Sequence, residues 1–196
     1  CRVGYYQPDS GQQNCIPSSP GYSVANLGSS TQDGCEPGTY QPNFASSSCI
    51  EASLGHYVEN ENATAQLSCT LGTYQPNYAS TSCIPAESGH WVESDGASQT
   101  QSCPLGTYGT SVGAVGIETC ISADPGYYVD STGASSQLEC IAGTYNPVIG
   151  AISSADCLAA DAGNYVESSG SSEQTPCDLG TYQPNSGQIF CLESSS

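Results

Sequence analysis

Cys35-Glu-Pro-Gly-Thr-Tyr-Gln-Pro-Asn43 and Cys69-Thr-Leu-Gly-Thr-Tyr-Gln-Pro-Asn77 are two copies of one motif, and each is followed by a second cysteine, at Cys49 and Cys83. The motif's glycine recurs at Gly4, Gly38, Gly72, Gly106, Gly143 and Gly180, and its tyrosine at Tyr6, Tyr40, Tyr74, Tyr108, Tyr145 and Tyr182. Between these GTY segments lie longer ones that carry Gly21, Gly55, Gly89, Gly126 and Gly163, each followed three residues on by Val24, Val58, Val92, Val129 or Val166. Self-similarity at a fixed period marks a repeat architecture, in which each unit packs mainly on its neighbours. The return of the motif from Cys35 to Cys69 and on to Cys103 sets the period, and the GTY segments ending at Cys120 and Cys157 carry three extra residues. Surface loops tolerate such insertions. The expected organisation is repeats at 1–34, 35–68, 69–102, 103–139 and 140–176, with a terminal half-repeat at 177–196.

Composition says what must hold such a chain together. Leu, Ile, Val and Phe total 29 of 196 residues, and the net charge is −18. So little aliphatic mass and so much like charge cannot offset the conformational entropy of folding unless covalent links restrict the unfolded chain. Twelve cysteines, evenly spread, supply those links. An even count at regular spacing in a small-cored chain reads as a disulfide framework, which persists in oxidising compartments, so the expected location is extracellular, secreted or on a cell surface. Structural zinc sites bring ligands in close pairs, whereas even the nearest cysteines here, such as Cys1 and Cys15, stand far apart along the chain.

Two periodic pairings are open. If each GTY segment closes on itself, the bridges are Cys1–Cys15, Cys35–Cys49, Cys69–Cys83, Cys103–Cys120, Cys140–Cys157 and Cys177–Cys191. If the longer segments close instead, Cys1 and Cys191 are orphans. The first scheme is preferred because it leaves no thiol over, and each loop of about 15 residues then contributes on the order of 3 kcal/mol.

Local signals favour short strands and turns. Gly126-Tyr-Tyr-Val-Asp130 and Gly163-Asn-Tyr-Val-Glu167 combine β-formers with alternation and are followed by Gly133 and Gly170, so each longer segment reads as a small hairpin. The Gln-Pro-Asn steps beginning at Gln41, Gln75 and Gln183 mark turns. No helical periodicity persists over ten residues. The expected fold is therefore a small disulfide-rich all-β repeat, an elongated tandem array of short strands and hairpins with little hydrophobic core. Its Tyr, Val and Trp91 side chains are expected to pack as a mini-core over the bridges. His56 and His90 hold one position in consecutive longer segments, where Tyr22, Tyr127 and Asn164 stand elsewhere, which suits a repeat surface better than a metal site.

The Cys-x-x-Gly-Thr-Tyr motif, closed by a second cysteine as Cys83 follows Cys69, resembles the ephrin-receptor-like cysteine-rich repeat, related to the tumour necrosis factor receptor repeat. The resemblance covers the whole array. It implies that the opening segment closes with its own disulfide, supporting Cys35 with Cys49 and Cys69 with Cys83. The chain departs from that family in having no cysteine between Cys49 and Cys69 or between Cys120 and Cys140. In general character it is similar to long, acidic repeat proteins of microbial surfaces, such as stalks, filaments and adhesins.

Arg2 is the only Lys or Arg against 19 carboxylates, which excludes nucleic acid and anionic membrane surfaces as partners. Glu59, Glu61, Glu93, Asp95 and Asp130 recur after the repeated valine and are the candidates for weak calcium binding. The competing reading is a solvated acidic face, and no other cofactor is expected. Asn62-Ala-Thr64 is the single N-glycosylation pattern and falls on an expected turn. No catalysis is expected, because an array of small modules offers no dry pocket for a positioned acid, base or nucleophile.

No 18-residue apolar run suggests membrane insertion. Without methionine, and beginning on a repeat cysteine, the chain reads as a processed product or a window cut from a longer array, its secretion signal lying outside it. The functional expectation is an extracellular structural repeat protein, a disulfide-stapled rod or filament that associates head to tail. The alternative is a receptor or adhesin ectodomain whose Trp91, Phe44 and Tyr78 bind protein or glycan.

Overall fold

In a computed structural model, which describes residues 1–194, the chain forms eleven two-stranded antiparallel hairpins built from two-residue strands. The only helical pieces among these residues are two three-residue 3-10 turns, Ile117–Thr119 and Ser154–Asp156. They occupy the two insertions, each just ahead of a closing cysteine. The expected half-repeat at 177–196 extends two residues beyond the described region.

The GTY and longer segments turn out to be one structural module. Each opens three residues ahead of a positive-φ glycine, its starting glycine, in order Gly4, Gly21, Gly38, Gly55, Gly72, Gly89, Gly106, Gly126, Gly143, Gly163 and Gly180, so two successive hairpins make up each sequence period. We number them modules 1–11. The strand after the glycine, such as Thr73–Tyr74, pairs with a return strand, such as Ile84–Pro85. The same pairing joins His56–Tyr57 to Leu67–Ser68 in a longer segment. A second positive-φ position seven residues after the first glycine forms the hairpin tip, held by glycine in eight modules and by Ala45, Asn62 and Ala79 in modules 3, 4 and 5.

Two kinds of fastening alternate. In odd-numbered modules the disulfides Cys1–Cys15, Cys35–Cys49, Cys69–Cys83, Cys103–Cys120, Cys140–Cys157 and Cys177–Cys191 tie the start of the module to its return strand. In modules 2, 4, 8 and 10 glutamine stands where the second cysteine would be. Gln66 Oε1 accepts the Ser53 N–H (2.8 Å), and Gln137 accepts the Asp124 N–H (2.7 Å) while its Nε2 donates to the Asp124 carboxylate (2.9 Å). Gln32 and Gln174 make the same closure on Ser19 and Asp161. A neutral bond of such a clamp contributes about 1 kcal/mol and one to an aspartate carboxylate roughly 1.5 kcal/mol or more, against about 3 kcal/mol for a closed disulfide loop of this length.

The thin core alternates in the same way. Three residues after the starting glycine sit Val24, Val58, Val92, Val129 and Val166 in even modules, and Gln41, Gln75, Asn146 and Gln183 in odd ones, all buried. The buried glutamine amides are satisfied within their own module, as where Gln75 Nε2 donates to Ser82 O (2.7 Å) and its Oε1 accepts the Asn77 N–H (3.0 Å), whereas Asn146 Nδ2 donates back to Tyr127 O of module 8 (3.1 Å). Where odd modules bury Cys35, Cys69, Cys103 and Cys140, even modules bury Ala52, Ala86, Ala123 and Ala160. Most tyrosines that follow the starting glycines are half-buried.

The chain divides into two compact units, one of Cys1–Ala86 with Val92–Thr100 and the other of Glu87–Trp91 with Gln101–Ser196. Within the first, the starting-glycine N–H of each module donates to the next: Gly4 to Val24 O (2.8 Å), Gly21 to Gln41 O (2.7 Å), Gly38 to Val58 O (2.8 Å), Gly55 to Gln75 O (2.8 Å) and Gly72 to Val92 O (2.9 Å). The second unit repeats the pattern, from Gly106 to Val129 O (2.9 Å) through Gly163 to Gln183 O (2.7 Å). Tip amides complete the ladder, Asn62 N–H donating to Cys35 O (2.8 Å) in the first unit and Gly170 N–H to Cys140 O (2.9 Å) in the second. Contact also reaches two modules ahead. A Cβ on Gly38 would run into the Ala79 carbonyl, and one on Gly126 into the Gly170 carbonyl, so these positions need glycine for close approach as well as for their φ.

Candidate functional site

The residues singled out in the sequence fall into interior and surface groups. Both cysteines of each bridge belong to the same odd-numbered module, and no described cysteine is free. His56 and His90 serve as spacers. The His56 Nδ1 lies 2.9 Å from Leu54 O and 3.2 Å from Ser53 Oγ, and its ring packs on the tip at Gly96. His90 packs in the same way on Gly133, and Tyr127 on Gly170. These side chains fill the space between a module and the tip two modules on.

Trp91 packs as the expected mini-core residue and not as the exposed aromatic of the alternative reading: it is 6% exposed and belongs to the core. It occupies the position of the half-buried tyrosines, and the enlarged module 7 covers it through a parallel bridge with Ala114. Its Nε1 is the one buried side-chain polar atom among the described residues without a hydrogen-bond partner. Phe44 and Tyr78, one residue before the tips of modules 3 and 5, are exposed. Val112 and Ile149 hold the corresponding exposed positions in modules 7 and 9.

The calcium candidates Glu59, Glu61, Glu93, Asp95 and Asp130 are all exposed, and no group of three or more His, Cys, Asp or Glu converges among the described residues. Asp95 instead accepts the Leu71 N–H of the preceding module (3.1 Å), acting as a bracket between modules. Asn62 is exposed, with φ of 58°. Its Oδ1 lies over Gly34, which has no side chain to obstruct it.

Concave features are open clefts, and three share one construction. The first unit has a cleft of about 310 Å³ lined by Tyr57, Glu59, Thr73 and Cys83, and the second has equivalents of about 290 Å³ at Tyr165, Glu167, Thr181 and Cys191 and about 280 Å³ at Tyr128, Thr144 and Cys157. Each offers phenol and hydroxyl groups beside a disulfide. A further cleft of about 490 Å³ lies in module 9 against Asn146, Val148, Ile152 and Leu158 and is mostly apolar. The periodicity of the smaller clefts follows from module geometry and was not legible in the cysteine spacing.

Six bridges in a small-cored chain are consistent with an extracellular or secreted protein. No described helix is long and apolar enough to cross a membrane. Comparison with family models and with curated protein sequences gave no match.

Proposed function

We propose that this protein is an extracellular structural element, a disulfide-stapled rod or filament in the manner of a surface fibre or stalk, without a catalytic role. The observation that carries the reading is the alternation of covalent and amide fastenings along a backbone ladder that uses every starting glycine in modules 1–5 and 7–10. Such a device resists extension and local unfolding. Its loops are closed by covalent bonds, and successive modules are joined through paired backbone groups rather than a deep hydrophobic core. The resemblance to ephrin-receptor-like repeats supports an extracellular setting, and the formal charge of −18 favours solubility there.

Negative-stain electron microscopy with and without reductant tests this. Thin rods or filaments that collapse on reduction support it, and compact particles unaffected by reductant refute it. The receptor or adhesin reading draws on the exposed Phe44 and Tyr78 at successive odd-module tips. Saturable binding on a glycan or protein array, lost in a Phe44→Ala, Tyr78→Ala double variant, would favour that reading.

A further inference from the structure

Three of the five even-numbered modules carry a tyrosine two residues after the starting glycine, at Tyr57, Tyr128 and Tyr165, and each of these lines an open cleft. The other two have Ser23, with no ring, and Trp91, which is buried. Beside each cleft tyrosine the next module supplies a threonine and its closing cysteine, Thr73 with Cys83, Thr144 with Cys157 and Thr181 with Cys191. A carboxylate completes each set, from Glu59, Glu139 or Glu167. The clefts at Tyr57 and Tyr128 have further modules before and after them, so their openness does not depend on where the chain begins or ends.

The recurring polar groups of these clefts are acceptors. The threonine hydroxyls already donate to Thr70 O (2.7 Å), Ile141 O (2.6 Å) and Asp178 O (2.8 Å), which leaves them only lone pairs to offer a ligand. The carboxylates are exposed and have no Lys or Arg to pair with, because Arg2 is the only such residue of the chain. Arg2 itself sits over the Tyr5 ring, 4.7 Å from its centroid, and donates to the Tyr5 hydroxyl (3.1 Å), so a guanidinium on a tyrosine is used once within the protein. A ring, a carboxylate and an acceptor hydroxyl are the groups with which a guanidinium pairs. With volumes between about 280 and 310 Å³, the clefts stand at the small end of ligand sites and seat one side chain each.

We propose that the three clefts receive arginine side chains from a basic segment of another protein, one side chain to a cleft. The net charge of −18 selects a cation and draws a basic partner towards the chain. The pairing of ring and carboxylate selects arginine over lysine, since a planar guanidinium stacks and donates at once where an ammonium is a compact point charge. The proposal goes beyond the structural reading and is independent of it, because a rod without partners has the same clefts.

Isothermal titration calorimetry of the oxidised 196-residue chain tests this. The probe is an end-blocked peptide of alternating arginine and glycine, in about 0.15 M salt so that charges more than roughly 8 Å apart are screened. Peptides with citrulline or lysine in place of arginine are the comparisons. One variant combines Glu59→Gln, Glu139→Gln and Glu167→Gln, and its control combines Glu36→Gln, Glu51→Gln and Glu173→Gln, which remove as much charge from exposed sites outside the clefts. A second variant combines Tyr57→Leu, Tyr128→Leu and Tyr165→Leu, which removes the rings without changing a carboxylate. The expected result is saturable binding of the arginine peptide, weaker binding of the lysine peptide and none of the citrulline peptide. The cleft glutamate set raises Kd at least roughly tenfold, the scale of a hydrogen bond to a charged group, while the control set changes it about twofold or less. The tyrosine set raises Kd at least roughly fivefold, the scale of a cation–π contact. Because these tyrosines are half-buried, each variant is first checked by circular dichroism, and the glutamate sets decide by themselves if the tyrosine set does not fold.

Absence of binding by the arginine peptide overturns the proposal. Equal losses in the two glutamate sets mean diffuse attraction of a polycation to an acidic chain and overturn it too, as does a lysine peptide that binds as tightly and is indifferent to the folded tyrosine set. Binding of a neutral chitin-type oligosaccharide in place of the peptide, lost with the tyrosine set, assigns the clefts to glycan instead. None of these outcomes touches the rod, which microscopy with and without reductant decides.

Discussion

Replacing Ala79 by glycine is expected to stabilise the fold, although the substitution removes a side chain. Ala79 holds φ of 52° at the tip of module 5, where eight of the eleven modules have glycine. An L-residue with a Cβ is disfavoured there by about 1–2 kcal/mol, and glycine relieves that strain. Against this, glycine makes the unfolded chain more flexible, which costs about 0.4–1 kcal/mol. Ala79 is exposed, so its methyl buries little apolar surface, and its N–H bond to Ala52 O (2.9 Å) is kept. The balance is a gain of roughly 0.5–1 kcal/mol. For a cooperative unit of about a hundred residues this raises Tm by roughly 2–8 °C. Differential scanning calorimetry of the oxidised protein reads the effect, with Gly96→Ala as the reciprocal change, expected to lower Tm, and Asn62→Gly as a near-neutral one because asparagine tolerates this conformation. A lower Tm for Ala79→Gly, or a higher one for Gly96→Ala, would refute the view that the tip conformation itself is what glycine serves.

Three further outcomes can be checked. Gln75→Leu leaves Ser82 O and the Asn77 N–H without their amide partner, and denaturant titration is expected to show a loss of about 2–4 kcal/mol despite the more apolar side chain. The double variant Cys69→Ala, Cys83→Ala fits sterically at its buried end, where even modules have alanine, yet loses loop closure worth about 3 kcal/mol. Proteolysis should then cut first within module 5, and cleavage elsewhere would contradict a local restraint. Secretion from a glycosylating host is expected to load Asn62, since the residue is exposed on a tip, giving a mass increment that deglycosylation removes and Asn62→Gln abolishes.

The two kinds of module conceal their kinship in the sequence because most of the positions that fasten and fill them change chemistry between them. Valine at 58 becomes glutamine at 75, cysteine at 69 becomes alanine at 86, and the bridging Cys83 is answered by the clamp at Gln66. Hydrophobic patterning therefore separates modules that the backbone makes equivalent. The buried glutamines carried a misleading signal, since beside proline and asparagine they read as turn residues, whereas folding uses their amides to satisfy the backbone of the tip. Trp91 was legible as a core residue from its place among the repeated tyrosines, but only the insertion of module 7, bridged at Ala114, shows what covers it.

The sequence alone determined the period, the even cysteine spacing of a disulfide framework, the all-β class and the positions of the turns. These depend on composition, cysteine spacing and local backbone preference, which act over a few residues or are uniform along the chain. Tertiary structure decided that one hairpin underlies both segment types, that starting glycines such as Gly38 and Gly126 accept a tip two modules away, and that the insertion of module 7 covers Trp91. Those features arise from backbone pairing between residues distant in sequence, as from Gly38 to Val58, and from steric contact between groups whose separation along the chain leaves no local trace.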